Sequence, residues 1–227
     1  MIPIAAAFGL PVANSKLWRF EDKTVLAVER FDRKWTSDGR RLRLPQEEMC
    51  QALGIAPALK YEADGGPSIK DIIHLLQGSQ NAIEDRAIFF KTQILFWLLA
   101  APDGHGKNFG LFIEAGNAYR MTPLYDILSA YPFMTANGGL RKQKLKMAMA
   151  LDSKQRHYQW EKILPRHFIS TAKKVGYSEK LAQAHMDEMI AMIPSVISTV
   201  ETQLPPQFPD SISNPIFEGL LRLHSAH

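Results

Sequence analysis

The sequence predicts an α+β fold that is mainly helical, with a small β-hairpin near the N-terminus and a second hairpin near the middle of the chain. Two runs of aromatic and β-branched residues, 16–20 and 24–31, flank a short polar turn and predict the first hairpin. The longest apolar run, residues 81–100, predicts a central core helix. From residue 158 onward, apolar side chains recur at helical spacing, so the chain is expected to be helical to its end.

The composition is typical of a soluble globular protein with one large domain or two small ones. The chain has 227 residues, of which 46% are hydrophobic, and its net charge of +4 is compatible with an anionic partner. Its single cysteine, Cys50, excludes an internal disulfide and is expected to be buried in a helix. No basic leader and no uncharged apolar run of about 18 residues is present. We therefore expect a cytoplasmic protein without membrane contact.

The N-terminal third is predicted to contain the first hairpin and a charged loop. Residues 1–12 have the features of the last turns of a helix that is closed by Gly9 and Pro11, as if they were the tail of something longer. Two strands alone are rarely stable, so the hairpin is expected to pair with further strands or to pack on helices. Residues 29–43 are dense in charge and predict a solvated loop that finishes in a Ser-Asp-Gly turn.

Two further helices are predicted before the central one. Residues 44–55 have Pro45 in the first turn and Gly54 at the end, as helices often do. Residues 60–78 predict a Gly-Gly-Pro loop that leads into a helix through Ser68.

The C-terminal half is predicted to contain a glycine-rich turn near residues 137–139 and to be helical from residue 158 to its end. Ser178 and either Ser213 or Asn214 are candidate N-caps. The segment after the turn contains a basic cluster that is either a solvated face or a phosphate contact, formed by Arg141, Lys142, Lys144 and Lys146.

The stretch from residue 103 to residue 126 is the candidate functional site. Asp103 and Asn108 have the interval of a protein kinase catalytic loop, in which the aspartate takes the acceptor proton and the asparagine holds magnesium. Residues 109–126 then predict a hairpin that returns the chain to Asp126, where a second magnesium ligand is expected. His105 and Lys107 lie between and are candidates for contact with phosphate oxygens.

Two other interpretations of this stretch remain open from spacing alone. Asp-Gly and Gly-Lys-Asn are ordinary turn residues that many inactive loops contain. A metal-dependent hydrolase that uses Asp103, His105 and Asp126 is the second functional interpretation.

Several sequence blocks, taken together, resemble one protein family over nearly the whole chain. The blocks are AVERFDR, LPQEEMCQALG, KYEADGGP, DGHGKNF, RMTPLYDILSAYP, KLKMAM, PRHF and LRLH. They resemble the HipA-like serine/threonine kinase toxins of bacterial toxin–antitoxin modules. The resemblance implies the larger C-terminal lobe of a kinase related to phosphatidylinositol-kinase-like folds. Residues 1–43 would be a remnant of the smaller lobe with the hinge hairpin, and residues 44–227 the helical catalytic lobe.

The resemblance also implies a role for each site residue, with ATP and Mg²⁺ as cofactors. Asp103 is the catalytic aspartate, and Asn108 and Asp126 are the magnesium ligands. The segment His105, Gly106, Lys107 and Asn108, with Tyr125 and Asp126, lines the phosphate end of the nucleotide. The hinge that meets the adenine is formed by Glu29, Arg30 and Phe31.

The family resemblance implies that the γ-phosphate of ATP is transferred to a protein serine. The family acceptor is the glutamyl-tRNA synthetase, an aminoacyl-tRNA synthetase, and its phosphorylation implies growth arrest. Expected partners are a HipB-like antitoxin and, through that complex, operator DNA. From their charge alone, Lys173 and Lys174 are either part of a solvated surface, which composition favours, or phosphate contacts. The family's phosphate loop and nucleotide-binding lysine are not identified in this sequence. The alternative is therefore a non-catalytic fragment that retains only the antitoxin and DNA interactions.

Overall fold

The computed structural model describes residues 1–134 and 139–226, and the predicted mainly helical α+β fold is confirmed in them. Within these ranges, the strands pair antiparallel in three hairpin sheets of two strands and one sheet of three strands, in the order β5-β6-β7. The strands are β1 Ser15–Phe20, β2 Lys23–Val28, β3 Arg33–Trp35, β4 Arg41–Arg43, β5 Gln46–Glu48, β6 Gly110–Ile113, β7 Tyr119–Met121, β8 Lys146–Asp152 and β9 Arg156–Gln159.

Seven α-helices in the described ranges form most of the core. Ser68 and Ser178 accept hydrogen bonds from the backbone N–H three residues later, so both predicted N-caps are confirmed. Cys50 is completely buried in α2, as expected. The helices are α1 Ile2–Ala7, α2 Met49–Ala52, α3 Ile69–Leu75, α4 Ala82–Leu98, α5 Pro165–Lys174, α6 Glu179–Gln203 and α7 Asp210–Ser225.

Helix α4 is the central helix that the apolar run predicts. Its second half is buried on all sides, because it packs against α6, α7 and β7 at the same time. Phe89, Phe90 and Leu95 are completely inaccessible to solvent. Among the helices of the two described ranges, none is both long enough and apolar enough to cross a bilayer. Because the second half of α4 is buried, the polar residues that follow it lie at one edge of the core.

A buried carboxylate joins the start of α4 to the central sheet. Asp85 is 3% exposed and accepts hydrogen bonds from the backbone N–H of Met121, at 2.9 Å, and from the hydroxyl of Ser79. Buried polar groups are costly unless they are hydrogen-bonded, and here both partners are also buried. This carboxylate thus fixes the position of β7 relative to α4.

Replacing Asp85 by alanine is expected to lower the free energy of unfolding by about 3 kcal/mol, because the buried N–H of Met121 loses its partner. Urea denaturation followed by circular dichroism measures this loss. Glu84→Ala is the matched control, since Glu84 is the exposed neighbour in the same helical turn. An equal loss in both variants would show that the buried hydrogen bonds of Asp85 are not the cause.

The predicted helix over residues 44–55 is wrong in its first part. Gln46–Glu48 form strand β5, in which Glu48 pairs with Gly110 and Gln46 with Phe112. The helix is confined to Met49–Ala52, and Gly54 ends it in the left-handed conformation with φ +67°. Pairing with β6, more than 60 residues away, decides the conformation of this segment.

The charged segment 29–43, predicted as a solvated loop, contains the hairpin β3–β4. Arg33 pairs with Arg43 across the hairpin, and the predicted turn includes Gly39 at φ +79°. Within it, Asp32 is 2% exposed and accepts hydrogen bonds from Arg30 and Arg33. Most of the other residues of the segment are exposed, as predicted, although the segment folds as a hairpin and not as a loop.

The prediction of helix from residue 158 to the end is wrong at its start. Residues 156–159 form strand β9, paired with β8, and α5 packs on β8. Residues 147–151 of β8 are buried without interruption, and such a run does not distinguish strand from helix by periodicity. Helix α7 begins at Asp210, so Ser213 lies buried inside it and neither Ser213 nor Asn214 is the N-cap.

The N-terminal hairpin is confirmed, but the expectation that it pairs or packs elsewhere is wrong for the described chain. Strands β1 and β2 form a two-stranded sheet, and nearly all of its residues are exposed. The rings of Trp18 and Phe20 stack on each other at 6.0 Å. Its large apolar side chains are 39–61% exposed: Leu17, Trp18, Phe20, Val25, Leu26 and Val28.

The remaining basic residues that were candidates for phosphate contact are exposed, and several of them form ion pairs with nearby acidic side chains. Lys142 forms an ion pair with Glu161 at 3.0 Å, and Lys174 forms one with Asp152 at 2.6 Å. Lys173 lies 3.8 Å from Glu179. The predicted glycine-rich turn falls largely on residues 135–138, which lie outside the described residues.

Candidate active site

The loop after α4 is held against the core by two glycines. A Cβ atom at Gly104 would overlap the ring of Phe96, and one at Gly106 would lie 2.7 Å from Pro67 Cγ and 2.9 Å from Cys50 Sγ. Side chains larger than hydrogen therefore do not fit at either position. The close packing fixes the path of residues 103–108 between the helix and the loop before α3.

The side chain of Asn108 links the backbones of Asp103 and Asp126, the two acidic residues of the candidate site. Its side-chain nitrogen donates to the backbone carbonyl of Asp103 at 2.7 Å and to that of Asp126 at 3.4 Å. Asn108 is 4% exposed, so these contacts are formed in the interior. Because Nδ2 is used in this way, the amide oxygen of Asn108 is left to bind another group.

Asp126 has a backbone conformation that non-glycine residues rarely adopt. Its φ is +54°, in the left-handed region, and its side chain is exposed. Leu124, two residues earlier, is held by two backbone hydrogen bonds of 2.8 Å. Its N–H donates to the carbonyl of Pro11, and its carbonyl accepts from the N–H of Ala13. A strained residue that its surroundings hold in place is a frequent feature of functional sites.

The Asp103 carboxylate has a partner that the sequence analysis did not identify. The hydroxyl of Tyr61 donates a hydrogen bond to Asp103 Oδ1. This hydrogen bond, together with burial, raises the pKa of Tyr61 to about 12. The Asp103 side chain is 38% exposed, so one side of it remains open. The only sequence signal for Tyr61 is its place in the block KYEADGGP.

His105 is buried beside the same carboxylate oxygen. Its Nε2 lies 3.7 Å from Asp103 Oδ1, and the residue is 5% exposed. Burial lowers the pKa of His105, although the charge of Asp103 acts in the opposite direction. A neutral imidazole is therefore expected at neutral pH. Its buried Nδ1 has no hydrogen-bond partner within the described ranges.

Of the three predicted hinge residues, Phe31 contacts the site through its side chain. Its ring centroid lies 5.8 Å from that of Tyr125, whose hydroxyl donates to the Lys107 carbonyl at 2.9 Å. The side chains of Glu29 and Arg30 have other partners. Glu29 accepts from Asn14 at 2.8 Å. Arg30 donates twice to Asp32, and these hydrogen bonds are the main cause that lowers the pKa of Asp32 to about 2.

A cavity of about 590 Å³ lies between β5 and the loop that follows α4. Lys107 and Tyr125 line one side and Glu48 and Gln51 the other, while Asp103, Asn108 and Asp126 are outside its lining. The Oε2 atom of Glu48 is buried without a partner in the part of the chain that the structure describes. Burial accordingly raises the pKa of Glu48. This cavity does not follow from the sequence pattern, which places Glu48 in a helix and not in β5.

The donor set at Asn108 and Asp126 fits magnesium better than zinc. Together the two residues offer an amide oxygen and carboxylate oxygens, the ligands that Mg²⁺ prefers. In the described residues, no three His, Cys, Asp or Glu side chains form a group that could hold a metal by themselves. Magnesium commonly binds to one or two carboxylates together with substrate phosphates, so such a group is not required. The hydrolase interpretation, with Asp103, His105 and Asp126 as a metal group, is not supported.

The chain is similar to known proteins over most of its length. The family model of the HipA-like C-terminal domain matches residues 1–197. The serine/threonine-protein kinase toxin HipA of Shewanella oneidensis is 26% identical over 222 residues, which is 92% of this chain and 49% of the relative. The protein Y4mE of Sinorhizobium fredii is 36% identical over 153 residues, which is 66% of this chain and 36% of the relative. The chain thus spans half or less of the length of these relatives.

Two solved structures have the same fold. The complex of HipA, HipB and operator DNA from the Shewanella oneidensis MR-1 toxin–antitoxin system matches with a TM-score of 0.86 at 24% identity, covering 100% of this chain and 54% of that chain. The proinflammatory kinase CtkA of Helicobacter pylori matches with a TM-score of 0.60 at 12% identity, covering 99% of this chain and 78% of that chain. At these identities the likeness concerns the fold alone, and it confirms the predicted fold.

Proposed function

The chain belongs to the family of HipA-like C-terminal domains, and from that membership we propose that it forms the catalytic part of a protein serine/threonine kinase. The observation that supports this best is the amide of Asn108, which holds the backbones of Asp103 and Asp126 in one cluster. Transfer of a phosphoryl group depends on positioning and on neutralising the charge of the phosphate. The cluster combines a candidate base with two candidate cation ligands at one place.

Asp103 is assigned the role of the base. The acceptor serine oxygen forms a bond to the γ-phosphorus of ATP, the bond from that phosphorus to the bridging oxygen breaks, and ADP leaves. The Asp103 carboxylate accepts the proton of the serine hydroxyl. Its 38% exposure leaves room for the acceptor to approach.

Asn108 and Asp126 are assigned to hold Mg²⁺, through the amide oxygen and the carboxylate respectively. When bound, the ion neutralises negative charge on the phosphates. The positive φ of Asp126 supports this assignment, because a strained backbone at an exposed carboxylate is typical of a functional constraint.

The nucleotide is proposed to lie between the catalytic loop and the hinge. The contact between Phe31 and Tyr125 supports this placement, since it brings the hinge beside the loop. The adenine would meet Glu29, Arg30 and Phe31. The phosphate end would be lined by His105, Gly106, Lys107, Asn108, Tyr125 and Asp126.

The partners are proposed from the relatives. The similar HipA structure is a complex with HipB and operator DNA. We therefore propose a HipB-like antitoxin as the partner of this chain, and operator DNA through that complex. The acceptor is proposed to be an aminoacyl-tRNA synthetase, the glutamyl enzyme, whose phosphorylation would arrest growth.

Incubation of the purified chain with MgATP and glutamyl-tRNA synthetase tests this function. We expect one phosphate on a serine of the synthetase, detected by mass spectrometry, and no transfer when EDTA removes the magnesium. Absence of phosphoserine in the synthetase, while other added proteins are phosphorylated, would contradict the acceptor and leave the kinase class intact.

The second candidate function is a non-catalytic chain that binds only the antitoxin and, through it, DNA. The exposed apolar side chains of the β1–β2 hairpin favour it. Calorimetric titration with MgATP separates the two functions. Micromolar affinity supports the kinase, whereas no binding heat together with tight binding of a HipB-like protein supports the second candidate.

A further inference from the structure

The side chain of Tyr61 contacts the carboxylate that the kinase mechanism uses as its base. Its hydroxyl donates to Asp103 Oδ1, and in the described chain no residue donates a hydrogen bond to Oδ2. The pKa of Tyr61, raised to about 12, keeps this hydroxyl protonated throughout the physiological range. One carboxylate oxygen is therefore occupied and the other is available.

The position of Tyr61 is fixed by its own loop and by the catalytic loop. Its carbonyl accepts hydrogen bonds from Asp64, at 3.0 Å, and from Gly66, at 2.8 Å. The carbonyl of Lys60, one residue earlier, accepts from the backbone of Gly106 at 3.2 Å. The Tyr61 loop and the catalytic loop are thus joined directly through the backbone.

A buried acid holds the other side of the Tyr61 loop. The carboxylate of Glu62 has only 6% of its side chain exposed, and it accepts from the backbone N–H of Ala150 at 2.6 Å. Arg156 lies 3.4 Å from the same carboxylate. The ring of Tyr61 also meets that of His105 edge-on, with centroids 5.1 Å apart. These contacts restrict rotation of the tyrosine ring and hold its hydroxyl beside Asp103.

We propose that Tyr61 is a positioning residue, which holds the Asp103 carboxylate so that Oδ2 faces the acceptor hydroxyl. This inference rests on the kinase function proposed above. A base must lie within about 2.6–3.2 Å of the oxygen whose proton it takes, and a freely rotating carboxylate satisfies this only part of the time. The hydrogen bond from Tyr61 removes that freedom before the acceptor arrives.

The alternative is that the hydroxyl of Tyr61 occupies the place of the acceptor hydroxyl and so blocks Asp103. In that case its removal would accelerate transfer to other acceptors, or Tyr61 itself would be phosphorylated. The structure favours positioning, because the ring is held by His105 and the loop by Gly106 and Glu62. If Tyr61 were the phosphate acceptor, its side chain would have to leave the site after each reaction, which these contacts oppose.

The test compares Tyr61→Phe with Tyr119→Phe in the full chain. Both substitutions remove a single tyrosine hydroxyl, but that of Tyr119 donates to the Leu75 carbonyl and not to the site. The first measurement needs no nucleotide. Surface carboxylates are labelled with a water-soluble carbodiimide and glycine ethyl ester, and labelling of Asp103 is measured by mass spectrometry against the exposed Glu84. We expect a several-fold increase in Asp103 labelling in Tyr61→Phe and none in Tyr119→Phe.

The second measurement is phosphotransfer from MgATP to glutamyl-tRNA synthetase. We expect kcat to fall about tenfold or more in Tyr61→Phe, with the KM for ATP unchanged, because misplacement of a catalytic group mainly affects the chemical step. Unchanged Asp103 labelling, faster transfer or phosphotyrosine at position 61 would each overturn the proposal. Increased labelling together with no transfer by the unmodified chain would support the contact and contradict the kinase function instead.

Discussion

Asp103→Asn is expected to lower the rate of phosphotransfer by about 10²–10⁴-fold and to leave the affinity for MgATP unchanged. An amide has nearly the shape of the carboxylate but does not take the proton of the acceptor serine. The fold of the loop should persist, because Asn108 donates to the backbone carbonyl of residue 103. The amide oxygen of the new side chain is also able to accept from Tyr61.

Asp126→Asn is the informative comparison for this variant. As a proposed magnesium ligand, Asp126 should be required for binding of ATP in the presence of magnesium, whereas Asp103 should not. Calorimetry with MgATP and initial rates of phosphoserine formation measure the two effects separately. Asp64→Asn is the control, since Asp64 is an exposed acid of the neighbouring loop. A normal rate in Asp103→Asn would remove Asp103 from the role of base.

Phe109→Ala is expected to lower the free energy of unfolding by about 3–5 kcal/mol. Phe109 is 1% exposed and follows Asn108 directly. Its ring packs against Phe89, with centroids 4.9 Å apart, and against Phe96 at 5.8 Å. Truncation therefore leaves a cavity between α4 and the loop of residues 103–108, at the place where the helix supports the proposed site.

Urea denaturation of Phe109→Ala should show a lower midpoint with a similar slope. Phe133→Ala is the matched control, because the same truncation is made at a side chain that is 67% exposed. We expect the control to change stability by no more than about 0.5 kcal/mol. Similar losses in the two variants would contradict the role of Phe109 in joining the loop to the core.

Structural features that depend on residues close together in the chain can be predicted from the sequence. The apolar pattern predicts the central helix, and Ser68 and Ser178 are predicted N-caps, because helix formation and capping use contacts within a few positions. The glycine and asparagine turn at residues 116–117 likewise predicts the hairpin of β6 and β7. The spacing of Asp103 and Asn108 is a property of one short loop, and the structure brings both beside Asp126.

Strands that pair with distant segments do not follow from local pattern. Gln46–Glu48 has the composition of a helix start, yet it forms β5 because its backbone pairs with β6. The buried run in β8 is compatible with either class until β9 and α5 cover it. Conversely, the local pattern of β1 and β2 predicts their strands correctly, although the further partner that was expected for the hairpin is not found in the described chain.

The sequence by itself therefore determined the central helix, the spacing within the loop that follows it and the family, because these depend on residues close together in the chain or on whole blocks of sequence. Only the tertiary structure decided what surrounds Asp103. Tyr61 lies 42 positions earlier, and its hydrogen bond to the carboxylate exists because two separate loops pack against each other. The cavity at Glu48 has the same origin, since β5, the loop after α4 and the segment at Tyr125 together line it.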